Sequence, residues 1–145
     1  MLKRFMPNDF DKALAIFMDL FTQPPWSYDW MTKEKASVYL HDMLYSPNAR
    51  AYAYEEGGHL CGACFGSVGD CSVIPIFEIQ EIFIRPELQH RGLGSQMLSL
   101  IEEDLRVDGI GAVRLSTIRG IPAYDYYRKN GYEVVRGAVA MTKAL

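Results

Sequence analysis

Apolar residues recur at helical spacing in three long stretches of the chain. Each stretch places them three or four positions apart, which predicts helices with one apolar face. In the first the apolar positions are Phe10, Ala13, Leu14, Phe17 and Phe21; in the second Ala36, Leu40, Met43 and Leu44; in the third Leu93, Met97, Ile101 and Leu105. Asn8 or Asp9 can cap the first helix and Thr32 the second, while Gly109 ends the third. Pro122 suits the first turn of a fourth helix, which must end by Asn130 and Gly131.

Short apolar runs bounded by glycine, proline or charged residues separate these helices and predict strands. The predicted strands are Leu2 to Phe5, Ala51 to Tyr54, Leu60 to Val68, Phe77 to Ile84, Ala112 to Ser116, Glu133 to Val135 and Ala138 to Thr142. Gly57 and Gly58 indicate an antiparallel hairpin between the second and third strands. The strand–helix–strand order after Phe77 requires a parallel pair with a right-handed crossover. We therefore expect an α/β fold with a mixed sheet of about seven strands and four helices.

Composition limits the class of protein. The chain has 145 residues, 49% hydrophobic and 23% charged, and a formal net charge of −3. This length predicts one domain spanning residues 1–145, and this charge provides no basic field for nucleic acid. Pro7, Asn8 and Asp9 interrupt any signal-like apolar core, and no stretch reaches the roughly 20 apolar residues of a membrane helix. We expect no membrane partner and a cytoplasmic location.

Three cysteines raise the question of a metal or redox site. An odd number disfavours a secreted disulfide framework. Cys61 and Cys64 follow His59, and Cys71 comes later, but Leu60 to Val68 is predicted to be a strand. Strand alternation would direct Cys61 and Cys64 to opposite faces, and a redox Cys-x-x-Cys belongs at a helix start. We interpret these cysteines as small buried hydrophobic residues and expect no metal.

A glycine-containing turn joins the strand ending at Ile84 to the helix beginning at Leu93. Its sequence is Gln89-His90-Arg91-Gly92-Leu93-Gly94. Glycines allow close approach to the main chain, and the first turn of a helix has unpaired N–H groups with a positive dipole end. A pyrophosphate fits such a turn. The Walker lysine and the third Rossmann glycine are both missing.

This turn resembles the coenzyme A loop of the GNAT N-acetyltransferases, whose pattern is Q/R-x-x-G-x-G/A. Downstream, the segment from Pro122 to Tyr132 is similar to the family's A-x-x-x-Y-x-x-x-G-F/Y pattern, with Ala123, Tyr127 and Gly131 at the matching positions. The resemblance covers about Phe77 to Val135. It implies a V-shaped splay between strands 4 and 5, where acetyl-CoA enters as co-substrate.

The resemblance also implies where the co-substrate is bound. The acetyl carbonyl would meet backbone N–H groups near the end of the fourth strand, and an unpaired strand edge can bind the pantetheine amides like a substitute strand. The implied cofactor-binding residues are Ile82, Phe83, Ile84, Gln89, His90, Arg91, Gly92, Leu93, Gly94, Ser95 and Tyr127. The family often has an asparagine just before the fourth helix. This chain has Arg119 and Gly120 there instead.

Acetyl transfer to an amine needs a base, because a primary amine with a pKa of about 10.4 is almost wholly protonated at neutral pH. Glu78 and Glu81 lie on the strand that leads to the acetyl site. Strand alternation predicts that they face opposite sides of the sheet, although a bulge could exchange the faces. We favour Glu81, which is closer to Ile82, and keep Glu78 as the alternative.

Tyr127 is the second catalytic candidate that the resemblance implies. The family's tyrosine at this position lies near the thioester sulfur. A phenol with a pKa near 10 is a weaker acid than a thiol at about 8.5, so a strengthening hydrogen bond suits the leaving thiolate better than full proton transfer. Tyr124 and Tyr126 are alternatives if the register differs, and Tyr126 is expected in the core.

The acceptor is not specified by the motifs. Trp26, Tyr28, Asp29 and Trp30 follow the first helix and are predicted to form an aromatic and acidic rim for a cation such as an aminoglycoside, a polyamine or lysine. Their other interpretation is a proline-rich connector whose aromatic residues anchor it to the core. The predicted function is acetyl transfer from acetyl-CoA to a small-molecule or protein amine, with a homodimer left open.

Two other functions remain open from the sequence. A non-catalytic acyl-CoA-binding regulatory module would share the fold and the loop. A phosphate-binding nucleotide enzyme is disfavoured, because its lysine and metal-binding residues are missing. The combination of Tyr127 with a strand glutamate favours catalysis, but the fold alone does not establish turnover.

Overall fold

The computed structural model describes residues 1–69 and 73–145. A sheet of five strands has the order β1-β2-β3-β4-β5: Leu2–Arg4, Ala49–Glu56, His59–Gly69, Ile76–Ile84 and Ala112–Arg114. The first four strands pair antiparallel, and β4 pairs parallel with β5. The helices are α1, Phe10–Phe21; α2, Lys33–Leu44; α3, Leu93–Val107; and α4, Pro122–Lys129. The predicted mixed sheet, four helices and parallel crossover are confirmed.

Local signals explain where the helices begin and end. The Thr32 hydroxyl accepts a hydrogen bond from the Lys35 backbone N–H at 3.2 Å and caps α2, as predicted. At the start of α1 the buried Asp9 carboxylate instead accepts from the Met6 N–H and pairs with Lys3, each at 2.9 Å. Gly109 follows α3 with φ +77°, the left-handed conformation that ends many helices.

The sheet separates two apolar clusters. On one face α1 and α2 pack against Ala63, Phe65 and Phe83. On the other, α3 covers Cys64, Phe77 and further residues, with Tyr126 and Tyr127 of α4 at its margin. Within the described residues, no helix has the length and apolar composition needed to cross a membrane.

The ladder between β4 and β5 is short. It joins Ile76 to Ala112, Phe77 to Val113 and Glu78 to Arg114, after which β4 continues to Ile84 paired with β3 only. Because β5 stops at Arg114 rather than at the predicted Ser116, the two chains diverge beyond this point. This is the splay implied by the resemblance, and it leaves one edge of β4 unpaired.

The two last predicted strands, Glu133–Val135 and Ala138–Thr142, are not formed, so the described sheet has five strands rather than about seven. Most residues after Tyr132 are exposed, including Val139 and Met141 at 80% and 89%. An apolar alternation becomes a strand only when a neighbouring strand pairs with it and a core buries one face. Neither condition is met in this segment.

Candidate active site

The predicted anion-binding turn forms the start of α3. Gly92 is the residue that precedes the helix and has φ +78°, and nothing lies within 4 Å of where its Cβ would be. A side chain there would be strained and would occupy the space in front of the helix N-terminus. No acidic residue lies in the first helical turn, whereas His90 and Arg91 are exposed beside it. The turn therefore has the open space and the backbone donors that an anion such as a pyrophosphate requires.

The second glycine of the turn has a packing role. A Cβ on Gly94 would lie 3.3 Å from the Tyr126 hydroxyl, so this glycine lets α4 approach the first turn of α3. Tyr126 is half-buried, and burial raises the pKa of its hydroxyl to about 12. The expectation that Tyr126 belongs to the core agrees with this contact.

Gln89 connects the turn to β4. Its side-chain amide donates a hydrogen bond of 3.1 Å to the carbonyl oxygen of Ile84. The side chain predicted to contact the cofactor is thus engaged with the protein, and it fixes the turn against the end of the strand.

The open edge of β4 presents main-chain groups at alternate residues. The Arg85 N–H donates to the Cys61 carbonyl at 2.8 Å, and the same register pairs Phe83 with Ala63. In an antiparallel ladder such pairs exchange their hydrogen bonds, so Phe83 faces β3 while Ile82 and Ile84 face away from it. The Ile84 carbonyl already accepts the hydrogen bond from Gln89. The N–H and C=O of Ile82 are therefore the main-chain groups that face the opening with neither of them engaged by Gln89. Of the three residues predicted here, Phe83 is turned to the wrong side for a main-chain contact.

A cavity of about 470 Å³ lies where the strands diverge. Its walls come from α1, α2, the segment between them, β4, the chain after β5 and α4. The lining residues are Phe17, Phe21, Trp26, Tyr28, Trp30, Met31, Lys35, Tyr39, Ile79, Gln80, Glu81, Ile82, Leu115, Ser116, Thr117, Ile118, Ile121, Ala123 and Tyr127. Glu81 and Tyr127, the favoured base and acid, line the same cavity.

A β-bulge determines the direction of the glutamates. Phe65 of β3 pairs with Glu81, but the next residue, Gly66, pairs with Ile79, so Gln80 is the extra residue of β4. The bulge shifts the alternation by one position. Glu78 and Glu81 consequently lie on the same face of the sheet, the one covered by α1 and α2, and the prediction of opposite faces is wrong.

The two glutamates nevertheless have different surroundings. The Glu78 carboxylate is 45% exposed and pairs with Arg114 at 2.8 Å, and it does not line the cavity. Glu81 lines it and accepts a hydrogen bond of 2.7 Å at Oε1 from the Tyr39 hydroxyl. Burial raises the pKa of the Glu81 carboxyl, and the Tyr39 hydrogen bond opposes part of that rise. A raised pKa makes this carboxylate a stronger base than an ordinary glutamate.

Tyr127 lies on α4 between two other tyrosines. Its ring is 5.1 Å from the Tyr126 ring and 5.6 Å from the Tyr132 ring, both in edge-on contacts. The Tyr132 hydroxyl is engaged with Glu102 at 3.0 Å. Burial raises the pKa of Tyr127, and Glu81 is among the charges that add to the rise. The Tyr127 phenol therefore remains protonated at neutral pH and can act as a donor within the cavity.

The aromatic connector is anchored to α1 and also borders the cavity. Tyr28 stacks on Phe21 with centroids 5.9 Å apart and planes at 6°, which anchors the connector to α1. Trp26, Tyr28 and Trp30 line the cavity, and their contact with an acceptor stays a prediction. Asp29 is exposed and does not line it, so the expected acidic rim is absent from the described lining. The carboxylate of the cavity comes from Glu81.

Sequence reasoning missed Tyr39 and Lys35 of α2. The helical pattern assigned the buried face of α2 to Ala36 and Leu40, and both polar residues lie beside that stripe. Tyr39 is four residues after Lys35, so the two share one side of the helix. The signal was available in this spacing, but the partner of Tyr39 is 42 residues away in sequence.

The prediction that Cys61 and Cys64 point to opposite faces of their strand is wrong. Cys61 and Cys64 belong to the same buried cluster, on the α3 face. Tyr54 of β2 pairs with Gly62 while Glu55 pairs with Leu60, so Cys61 is itself the extra residue of a bulge. Cys71 lies outside the described residues. Among those described, no group of three or more His, Cys, Asp or Glu side chains could hold a metal ion.

Comparison with known protein families gives a match over most of the chain. The model of the acetyltransferase (GNAT) family matches residues 14–132. The aminoalkylphosphonate N-acetyltransferase of Salmonella typhimurium (strain LT2) is 37% identical over 71 residues, which are 48% of this chain and 45% of that protein. The match thus spans about half the length of this curated relative.

Solved structures share the whole fold at low sequence identity. A possible acetyltransferase from Clostridium difficile 630 has a TM-score of 0.82 at 11% identity, covering 100% of this chain and 97% of that one. AAC(6′)-Iy, solved with the bisubstrate analogue CoA-S-monomethyl-acetylneamine, has a TM-score of 0.75 at 12% identity, covering 100% and 98%. At such identities the similarity concerns the fold alone.

Proposed function

Because this chain belongs to the acetyltransferase (GNAT) family, we propose that it transfers the acetyl group of acetyl-CoA to a primary amine of a small molecule or protein. The amine attacks directly while both substrates are bound. One observation carries the proposal: Glu81 and Tyr127 line a single cavity at the unpaired edge of β4. A base for the amine and a donor for the sulfur are thereby available in one place.

The pyrophosphate of acetyl-CoA is assigned to the turn at Gly92. The backbone N–H groups at the start of α3 point to it, and the exposed Arg91 adds positive charge. Gln89 holds the turn against β4, so the site is organised before binding. The main chain of Ile82 then binds the carbonyl side of the acetyl group. Bound acetyl-CoA supplies the activated thioester.

Glu81 is assigned as the general base. Its carboxylate accepts a proton from the acceptor ammonium, directly or through one water, and so provides the neutral amine that attacks. Glu78 is the weaker candidate, because its carboxylate is occupied by Arg114 outside the cavity. Tyr39 is assigned as a positioning residue, since its hydroxyl donates to Glu81 and so orients the carboxylate.

Tyr127 is assigned to the leaving sulfur. Its phenol donates a hydrogen bond that strengthens as negative charge develops on the thiolate. The raised pKa of Tyr127 keeps the proton on the phenol, so the thiolate leaves with a hydrogen bond rather than as a thiol protonated by the enzyme. Solvent protonates the thiolate afterwards and takes the second proton that the attacking nitrogen loses as the amide forms.

The acceptor class follows partly from the relatives. The Salmonella relative is named for an aminoalkylphosphonate, and AAC(6′)-Iy was solved with an acetylneamine conjugate. Both compounds are small amines, which supports a small-molecule acceptor over a protein one. The cytoplasmic location and the homodimer remain predictions, and nucleic acid is not proposed as a partner.

Mass spectrometry tests this function most broadly. The protein is incubated with acetyl-CoA and a panel of primary amines, and products heavier by one acetyl group are sought together with release of the free thiol. The double variant Glu81→Gln/Tyr127→Phe serves as the control for spontaneous transfer. Saturable binding of acetyl-CoA without turnover on any amine would favour the regulatory module instead.

A further inference from the structure

The charges of the cavity restrict the acceptor. Among the described lining residues, Glu81 contributes the carboxylate and Lys35 the cationic side chain. The Lys35 ammonium has no carboxylate partner in the ion pairs of residues 1–69 and 73–145. A polyamine would bring further ammonium groups to a cavity that offers them a single carboxylate and a repelling lysine.

Both charges lie close to α2 in the cavity: Lys35 belongs to that helix, and Glu81 contacts its Tyr39. Lys35 and Tyr39 lie on the same side of α2, separated by four residues or about 6 Å along the helix axis. The Tyr39 hydroxyl contacts Glu81 at 2.7 Å. Lys35 and Tyr39 therefore border the cavity from successive turns of α2, and the carboxylate that receives the reacting amine contacts the second of them.

Aromatic rings form the wall between α1 and α2. Tyr28 is stacked on Phe21 and lies 5.3 Å from the Trp30 ring, which is itself 55% exposed. Large exposed aromatic surface beside a cavity is typical of a binding wall for a flat apolar group.

We infer that the acceptor is a primary amine that also carries an aromatic ring and one anionic group, the ring lying on Trp30 and Tyr28 and the anion pairing with Lys35. This inference rests on the proposed acetyl transfer and narrows its substrate class. The anion is a carboxylate or a phosphonate, because the Lys35 ammonium pairs with either as a point charge.

Four related amines separate the contribution of the aromatic ring from that of the anionic group. 4-(Aminomethyl)benzoate has the amine, the ring and the anion; benzylamine lacks the anion; 4-(aminomethyl)benzylamine replaces it with a second cation. 4-(Aminomethyl)cyclohexanecarboxylate keeps both charges and loses the aromatic ring. With each kcat/KM expressed per neutral amine, because the cyclohexane compound is the stronger base, we expect the value to be highest for the benzoate and lowest for the diamine, with the cyclohexane compound about three- to tenfold below the benzoate.

The second part of the experiment changes the protein at Lys35 and measures the same amines. Lys35→Gln should lower kcat/KM for the benzoate about fivefold, the upper end for a solvent-exposed ion pair, and should not lower it for benzylamine, whose ammonium group the lysine repels. Lys33→Gln, on the same helix outside the cavity lining, is the matched control and should change neither. Trp30→Leu should reduce the preference for the benzoate over the cyclohexane compound.

The outcomes distinguish this inference from the function on which it rests. Turnover of the amines with the diamine preferred, or a Lys35→Gln effect equal on the benzoate and benzylamine, overturns the acceptor class alone. The acceptor class is also overturned if none of these four compounds is acetylated while other amines are. Failure with every amine of a broad panel would instead remove the acetyltransferase proposal.

Discussion

The Tyr39 hydroxyl donates a 2.7 Å hydrogen bond to Oε1 of Glu81 and so connects α2 to the bulged part of β4. The bond favours the ionised carboxylate, whereas burial favours the protonated one. The pKa of Glu81 is raised as the balance of these two effects. The bond also fixes one oxygen, leaving the other for the acceptor amine.

Tyr39→Phe should therefore raise the pKa of Glu81 further. Since the base must be ionised to work, the acidic limb of the pH–rate profile should move to higher pH, with a loss of activity that diminishes at alkaline pH. Initial rates between pH 5.5 and 9.5 measure the shift. Tyr45→Phe, just beyond the end of the same helix, is the control and should leave the limb in place. An unshifted limb in Tyr39→Phe would show that Glu81 does not govern it.

The raised pKa of Glu81 also has a consequence for stability. A carboxyl whose pKa is higher in the folded state than in the unfolded state destabilises the fold once pH exceeds its unfolded value, about 4.3. Glu81→Gln should then increase the free energy of unfolding at pH 7, and the gain should shrink as pH falls through the folded pKa toward pH 4. Urea unfolding at several pH values measures this. A constant difference at all pH values would contradict the assigned pKa direction.

The turn at Gly92 should control co-substrate binding. Acetyl-CoA at a hundredfold excess over its dissociation constant should stabilise the wild-type fold by about 2.7 kcal/mol. Gly92→Asp should abolish that stabilisation, because the side chain fills the space before α3 and repels the pyrophosphate. Calorimetric or fluorescence-monitored melting measures both values.

Gly109 offers a matched control for that experiment. It lies just beyond the other end of α3 with φ +77°, nearly the conformation of Gly92, and open space also surrounds its missing Cβ. Gly109→Asp introduces similar backbone strain away from the turn. It should lower stability yet retain the stabilisation by acetyl-CoA. Equal stabilisation of both variants would refute the assignment of the turn.

Tyr127→Phe should retain acetyl-CoA binding and lower the rate constant of transfer by about 10²-fold, the lower end for a positioned acid. Tyr124→Phe tests the alternative register and should stay near the wild-type rate. Single-turnover kinetics separates transfer from product release. Normal turnover by Tyr127→Phe with a loss in Tyr124→Phe would transfer the role to Tyr124.

Local patterns were sufficient to predict much of this fold. The apolar spacing from Phe10 to Phe21, the cap at Thr32 and the glycine at position 109 each depend on neighbouring residues, and each was found as predicted. The segment after Tyr132 has strand-like alternation too. Its state depends on pairing with a distant strand, which local pattern does not encode.

The site was less accessible from sequence for the same reason. The bulge at Gln80 depends on the register with β3, and it decided which face Glu78 and Glu81 share. Their different surroundings depend on Tyr39 and Arg114, both more than 30 residues distant. The sequence indicated that a glutamate of β4 is the base, and tertiary contacts distinguish Glu81 from Glu78.

The pH dependence of acetyl transfer in Glu81→Gln and Glu78→Gln tests the central claim most directly. Glu81→Gln should lose more activity at pH 7 than at pH 9, where more of the acceptor amine is already neutral, while Glu78→Gln should follow the wild-type profile. The rates are compared at saturating acetyl-CoA, with binding of acetyl-CoA measured in both variants. The reverse order would assign the base to Glu78, and wild-type profiles in both variants would contradict a catalytic glutamate on β4.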